Sequence, residues 1–158
     1  MNRADAIREI VARHPHAAIV FANGLNSREA SAVADRPQNL YLLHGMGEAV
    51  SVGVGLKTAR PDLEVVVVDG DGNAWMGLAA LSLLPRDGIE YYVLANGTYE
   101  TTGAQRVPDL SGLLPRGAHL IPIEAGTLQA PLPPPPAQLL ARFQSWLATR
   151  GPAGERGP

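Results

Sequence analysis

Residues 65–73 read Val-Val-Val-Val-Asp-Gly-Asp-Gly-Asn, four β-branched side chains running straight into two carboxylates set between glycines. Valine favours extended backbone, and a run without polar alternation marks a strand covered on both faces. The acids at its end have two readings. Asp and Gly are the commonest turn residues, so the strand could simply stop there. Alternatively, the strand aims a carboxylate at a ligand, with a metal ion as the first candidate.

The chain on either side repeats the pattern of apolar strand, short loop and helix. Residues 4–13 predict a helix with Ile7, Ile10 and Val11 on one face. A strand follows at 18–22, then a helix capped by Asn26 or Ser27, a strand at 40–43 and a helix over 47–58. The quoted run predicts a strand over 63–68 and a helix near 74–84. Strands at 91–95 and 119–123 complete the series, with a short helical piece near 109–114 between them. Such alternation predicts an α/β fold, a three-layer, doubly wound and mostly parallel sheet. One domain over residues 1–130 accommodates it. Residues 131–149 then predict a proline-rich spacer, PLPPPP, and a helix with Leu139, Leu140, Phe143, Trp146 and Leu147 on its docking face. Residues 150–158 are polar and rich in Gly and Pro, and predict a disordered tail.

Composition removes several function classes. A formal net charge of −2 offers no basic patch for nucleic acid. The absence of cysteine excludes disulfides, thiolate nucleophiles and cysteine zinc sites. No apolar run approaches the ~20 residues needed to cross a bilayer, and the first ten residues lack a signal-peptide core. A cytoplasmic protein is the expectation.

Three predicted strands end in glycine-containing loops: His44-Gly45-Met46-Gly47, Gly70-Asp71-Gly72-Asn73 and Asn96-Gly97-Thr98-Tyr99. In a parallel sheet these loops share the carboxyl edge, where ligands bind. A dinucleotide fingerprint is one reading, with Gly45 and Gly47 as its glycines and Asp69 as the ribose-binding acid. Its third glycine position holds Val50, however, and it leaves Gly70-Asp71-Gly72 unexplained.

Gly70-Asp71-Gly72 with Asn96 at the end of the next strand resembles the thiamine-diphosphate-binding motif. LHGMGEAVSVGVGL resembles the segment that holds the aminopyrimidine ring in that family. NGTYETTGAQ (96–105) and FANGLNSREA (21–30) are similar to stretches of sulfopyruvate decarboxylase small subunits and phosphonopyruvate decarboxylases. Over roughly residues 3–125 the chain thus resembles the diphosphate-binding domain of thiamine diphosphate-dependent 2-oxo acid decarboxylases. The resemblance implies thiamine diphosphate and Mg²⁺ as cofactors. It makes Asp71, Asn96 and the Thr98 backbone carbonyl the metal ligands, an oxygen set suited to Mg²⁺. It places His44, Gly45, Met46, Gly70, Gly72, Asn73 and Tyr99 around the cofactor, with Met46 as the wedge that bends it. Thr101, Thr102 and Gln105 could contact a substrate anion, although a capped turn explains their polar groups equally well.

One departure stands out. The family's glutamate, which protonates the cofactor's aminopyrimidine, lies on a different domain, and no segment here resembles that domain. The resemblance therefore implies a split enzyme, in which a pyrimidine-domain partner subunit supplies the glutamate in a hetero-oligomer with two or more copies of each chain. The substrate would be a small 2-oxo acid. A carboligase of the same family and a non-catalytic partner subunit are the alternatives. The small residues Gly47, Ala49, Ser51, Gly53 and Gly55 predict close approach of a neighbour to the 47–58 helix, plausibly at the subunit interface. Among the remaining polar groups, Asp69 reads as support for the turn, His14 and His16 as surface residues and His119 as structural. The His44 side chain is the one histidine placed to take part in chemistry. Tyr99 reads as packing, Trp75 and Met76 as core or interface. Glu100 is expected to sit awkwardly beside a doubly anionic substrate.

Overall fold

The computed structural model describes residues 1–84, 88–126 and 128–151. Its centre is a five-stranded sheet, β1 (Ala18–Phe21), β2 (Asn39–Tyr41), β3 (Val65–Gly70), β4 (Ile89–Ala95) and β7 (His119–Pro122), in the order β2-β1-β3-β4-β7. Every neighbouring pair in it is parallel. A two-stranded antiparallel hairpin, β5 (Thr98–Tyr99) and β6 (Gln105–Arg106), stands beyond the end of β4. The helices are α1 (Arg3–Arg13), α2 (Leu25–Val33), α3 (Ala49–Ala59), α4 (Asp71–Met76) and α5 (Pro136–Ala148), and a 3-10 helix spans Leu78–Leu83.

The four valines of β3 are fully buried because alternate side chains enter two different cores. Val66 and Val68 pack with Phe21, Tyr92 and Leu94 against Ile7 and Ile10 of α1 and Ala30 of α2. On the opposite face, Val67 packs with Val20, Tyr91 and Val93 against Ala49 and Val50 of α3 and Leu81. Burying each valine contributes roughly 1.5–3 kcal/mol, so the strand is a main source of stability. The three-layer parallel arrangement agrees with the expectation from sequence.

Chain order also locates the site. From β1 the chain steps outward to β2, then returns to the other side of β1 to form β3. Loops leaving the carboxyl ends of β1 and β3 therefore diverge, opening a crevice between them.

Several local expectations are corrected. The helix expected near 74–84 begins at Asp71 and gives way to the 3-10 helix after Gly77. Residues 109–114 form hydrogen-bonded turns, with Leu113 N donating to Leu110 O at 2.9 Å; Gly112 and Pro115 stop a helix there. Neither Asn26 nor Ser27 caps α2. The N-cap is Gly24, and Ser27 lies inside the helix, its hydroxyl donating to the carbonyls of Phe21 and Ala22. His14 is buried rather than exposed, with Nδ1 against Glu64 at 2.5 Å and Nε2 against the Tyr92 hydroxyl at 3.0 Å. His119 stacks on the same Tyr92 ring at 4.5 Å. Leu139 and Phe143 of α5 are buried, whereas Leu140 points to solvent. Of the tail expected to be disordered over 150–158, residues from 152 onward lie outside the described residues, and Arg150 stacks over Trp146. Among the described residues no helix is long and apolar enough to cross a membrane.

The glycines of α3 divide by environment. A Cβ at Gly53 would stand 2.4 Å from Cγ2 of Val67, so the neighbour that Gly53 accommodates is this chain's own sheet. A Cβ at Gly55 would meet nothing within 4 Å. Gly53→Ala is therefore expected to destabilise by about 1–2 kcal/mol, overpacking of about 1–3 kcal/mol outweighing the gain in helix propensity. Gly55→Ala should stabilise the isolated chain by up to about 1 kcal/mol. Urea denaturation of the two variants checks this, and equal shifts of one sign would contradict it.

Candidate functional site

A cleft of about 90 Å³ opens at the switch between β1 and β3. One wall is the start of α2, with Asn23, Gly24, Leu25 and Asn26. The floor is Gly70, Asp71, Gly72 and Asn73 at the junction of β3 and α4. The other wall is Asn96, Thr98, Tyr99, Glu100 and Thr101, and Met46 and Met76 stand at the mouth. Two of the three glycine loops predicted from sequence meet here; the third contributes Met46 alone, and the loop before α2 forms the remaining wall.

Asp71 opens α4, and both its oxygens are oriented by backbone. Oδ1 accepts from Gly72 N at 2.9 Å and Oδ2 from Gly97 N at 2.7 Å. Burial raises its pKa, against the lowering effect of these amides. Asn96 closes β4, its Oδ1 accepting from Thr98 N at 2.9 Å and its Nδ2 donating to Glu100 at 2.5 Å. Gly72 is a cradle in the strict sense: a Cβ there would strike the Tyr99 ring at 2.5 Å. Tyr99 therefore packs over the glycine loop. Among the described residues no three His, Asp or Glu side chains converge as a metal site. The cleft instead offers one carboxylate and neutral oxygens, a set suited to a hard divalent cation whose ligand brings the remaining negative charge.

The second loop is locked to the first. Asn73 Oδ1 accepts from Gly47 N at 3.2 Å. A Cβ at Gly77 would lie 2.2 Å from Gly47 O, and one at Gly47 would lie 2.7 Å from Gly77 N. Two glycine backbones touch here, which sets where Met46 stands and ends α4. Of the other predicted cofactor residues, His44 and Gly45 do not line the cleft, and His44 is exposed. Trp75 is half-buried, its indole donating to Pro108 O at 2.7 Å. Of the three predicted substrate residues, Thr101 lines the cleft. Thr102 and Gln105 bond to each other at 3.3 Å and close the β5–β6 turn.

Asp69 supports the floor from below. It is 1% exposed, accepting from Gly70 N at 2.9 Å and from the Tyr91 hydroxyl at 3.2 Å. Burial lifts its carboxyl from 3.8 to about 7, the two donors opposing the shift. A folded-state pKa above the unfolded value means the fold binds the proton more tightly. That contribution is fully present below about pH 4 and lost as pH rises through 7. Asp69→Asn, which cannot ionise, should flatten the fall in melting temperature between pH 4 and 8 in the metal-free protein. Parallel pH profiles of parent and variant would refute it.

Sequence reasoning missed Arg3, Asn26 and Asn23 at the cleft, and Glu29, which holds Arg3. Arg3, 4% exposed, donates to Glu29 at 2.9 Å and to Gly126 O at 3.1 Å, and contacts Glu100. Asn26 is 5% exposed and turned to the cleft beside Gly70, its carboxamide making no hydrogen bond among the described residues. Asn23 accepts from Asn73 Nδ2 through its backbone carbonyl at 3.4 Å. Glu29, 2% exposed, also accepts from Leu128 N at 3.2 Å. For Asn23, Asn26 and Glu29 the signal was the polar cluster in FANGLNSREA, which does not say which side chains turn inward; Arg3 lies outside it.

The sequence profile of the thiamine pyrophosphate enzyme C-terminal TPP binding domain matches residues 18–119. A phosphonopyruvate decarboxylase of Streptomyces hygroscopicus is 40% identical over 111 residues, 66% of this chain and 27% of that protein. The sulfopyruvate decarboxylase subunit beta of Methanocaldococcus jannaschii is 38% identical over 109 residues, 66% of this chain and 57% of that protein. The fold is similar to a solved 2-oxoglutarate:ferredoxin oxidoreductase from Magnetococcus marinus with 2-oxoglutarate, coenzyme A and succinyl-CoA bound. The TM-score is 0.54 at 27% identity, covering 67% of this chain and 38% of that one. The chain therefore spans only part of each relative's length.

Proposed function

This chain belongs to the thiamine pyrophosphate enzyme family, and from that premise we propose that it is the diphosphate- and Mg²⁺-binding subunit of a split 2-oxo acid decarboxylase. The observation that carries the proposal is the convergence of Asp71, Asn96 and Thr98 on one cleft, with a glycine floor between them. The oxygens of Asp71 and Asn96 and the Thr98 carbonyl would hold Mg²⁺. Gly70 would admit diphosphate oxygens close to the backbone, and the Asn26 carboxamide and the first amides of α2 would complement their charge. Met46, half-exposed at the mouth, would press on the bound cofactor. When bound, thiamine diphosphate supplies a nucleophilic carbon and an electron sink for loss of CO₂. The backbone of the His44–Gly45 loop, rather than the exposed imidazole, is the part of that segment assigned to the cofactor.

Three of its relatives are named subunit beta, which supports a pyrimidine-domain partner. A substrate with a second acid group, of the sulfopyruvate or phosphonopyruvate kind, is supported by two features beside the cleft. Glu100 meets the Arg3 guanidinium, which it shares with Glu29, so its charge is partly offset beside the cleft. Arg28, without a carboxylate partner among the described residues, lines a chamber of about 400 Å³ that shares Asn23, Gly24 and Thr101 with the cleft. A cytoplasmic location is part of the proposal.

The test is reconstitution. The chain alone, and mixed with a pyrimidine-domain subunit from the same source, is assayed for CO₂ release from sulfopyruvate, phosphonopyruvate and pyruvate. Without the general acid–base glutamate, the isolated chain should be at least about 100-fold slower than the mixture. Equal rates would refute the split arrangement.

A further inference from the structure

We propose that Glu100 is a positioning residue for Asn96, taking up the amide end of that side chain so that its carbonyl oxygen is the atom turned toward the cation. The inference rests on the metal reading above. A carboxamide is nearly symmetric in shape, and its two ends have opposite consequences at a cation site: the oxygen coordinates, the NH₂ repels. Something must choose between them. Glu100 can do so because an ionised carboxylate only accepts hydrogen bonds. Its Oε2 receives Asn96 Nδ2 at 2.5 Å, while Asn96 Oδ1 receives Thr98 N at 2.9 Å and keeps a lone pair free. The flipped amide would set oxygen against carboxylate and NH₂ against a backbone N–H, two repulsions in place of two bonds.

Glu100 is itself immobilised. Its Oε1 accepts from Gly126 N at 2.5 Å, and its Oε2 meets the Arg3 guanidinium, which Glu29 and Gly126 O hold in turn. The side chain is 16% exposed. The selector thus runs from α1, through the loop after β5, to the segment following β7, elements far apart in sequence. Removing Glu100 leaves Arg3 paired with Glu29, so the fold does not depend on it for charge balance.

The experiment titrates the full chain with Mn²⁺ in the presence of thiamine diphosphate and reads free Mn²⁺ by electron paramagnetic resonance, with thermal melts alongside. Glu100→Ala should weaken Mn²⁺ binding about tenfold, the loss expected when a hydrogen bond to a charged group no longer selects the amide end. Glu100→Met, which fills the volume without an acceptor, should do the same and serves if the alanine variant does not fold. Glu100→Gln, whose oxygen still accepts, should recover part of the affinity. In an Asn96→Asp background both ends of the residue are oxygen, so Glu100→Ala should cost nothing there. A merely structural role predicts equal losses in both backgrounds, which would overturn the inference. So would binding by Glu100→Ala and Glu100→Met within about twofold of the parent. A parent protein that takes up no Mn²⁺ with the cofactor would overturn the metal reading, and this inference with it.

Discussion

Asp71→Ala is expected to abolish Mg²⁺-dependent binding of thiamine diphosphate. Asp71 is the single carboxylate among the proposed metal ligands, and it is 7% exposed with each oxygen fixed by a backbone amide. Loss of an outer-shell partner costs about 10–100-fold in metal affinity, so removing the charged ligand should exceed that. The alanine also leaves Gly72 N and Gly97 N without their acceptor, which could loosen the loops. Asp71→Asn separates the two effects, since it retains an acceptor oxygen and loses the charge. Calorimetric titration of both variants with cofactor and Mg²⁺, with circular dichroism to confirm folding, decides the matter. An affinity within a few-fold of the parent in Asp71→Ala would refute the metal assignment outright.

Arg3→Met should be the most damaging single change to stability. It removes the one cation from a buried cluster holding Glu29, 2% exposed, and Glu100, 16% exposed. Breaking a buried ion pair by deleting one partner costs about 3–5 kcal/mol, because the remaining charge is stranded. For a domain of this size, that corresponds to a fall in melting temperature of roughly 6–20 °C. Adding Glu29→Gln to Arg3→Met should restore part of the loss by removing the stranded charge. Arg3→Lys should be intermediate, since one ammonium cannot reach Glu29, Glu100 and Gly126 O with the geometry of a fork. A melting temperature for Arg3→Met within 2 °C of the parent, about 1 kcal/mol or less, would exclude this account.

These two residues differ in how visible they were. Asp71 stands out because its signal is local: a β-branched run, then Gly-Asp-Gly, then a helix, with a similar loop after the next strand. Arg3 in the first helical turn of an amphipathic segment reads as a surface charge. Its role depends on Glu29 and Glu100, 26 and 97 residues away. The same limit explains His14, whose partners Glu64 and Tyr92 come from other elements. Gly53 and Gly55 show it within one helix: identical residues two positions apart, one against Val67 and one in the open. Period and composition mark where small residues occur but not what approaches them.

From sequence alone follow the alternation of strands and helices, the parallel buried sheet and the three glycine loops at strand ends. All of these rest on local propensity and period, which a short window contains. Tertiary structure decided that α2 begins at Leu25 behind a Gly24 cap, with Asn26 turned into the cleft, and that Gly47 and Gly77 touch. It also decided that Arg3 and Glu100 bind each other and that the same carboxylate receives the Asn96 amide. Those outcomes are set by packing between segments distant in the chain, where the neighbour, and not the residue type, determines whether a charge is exposed, paired or put to use. The valines of β3 required a buried sheet, but which atoms Asp71 faces at its end required the other loops to arrive.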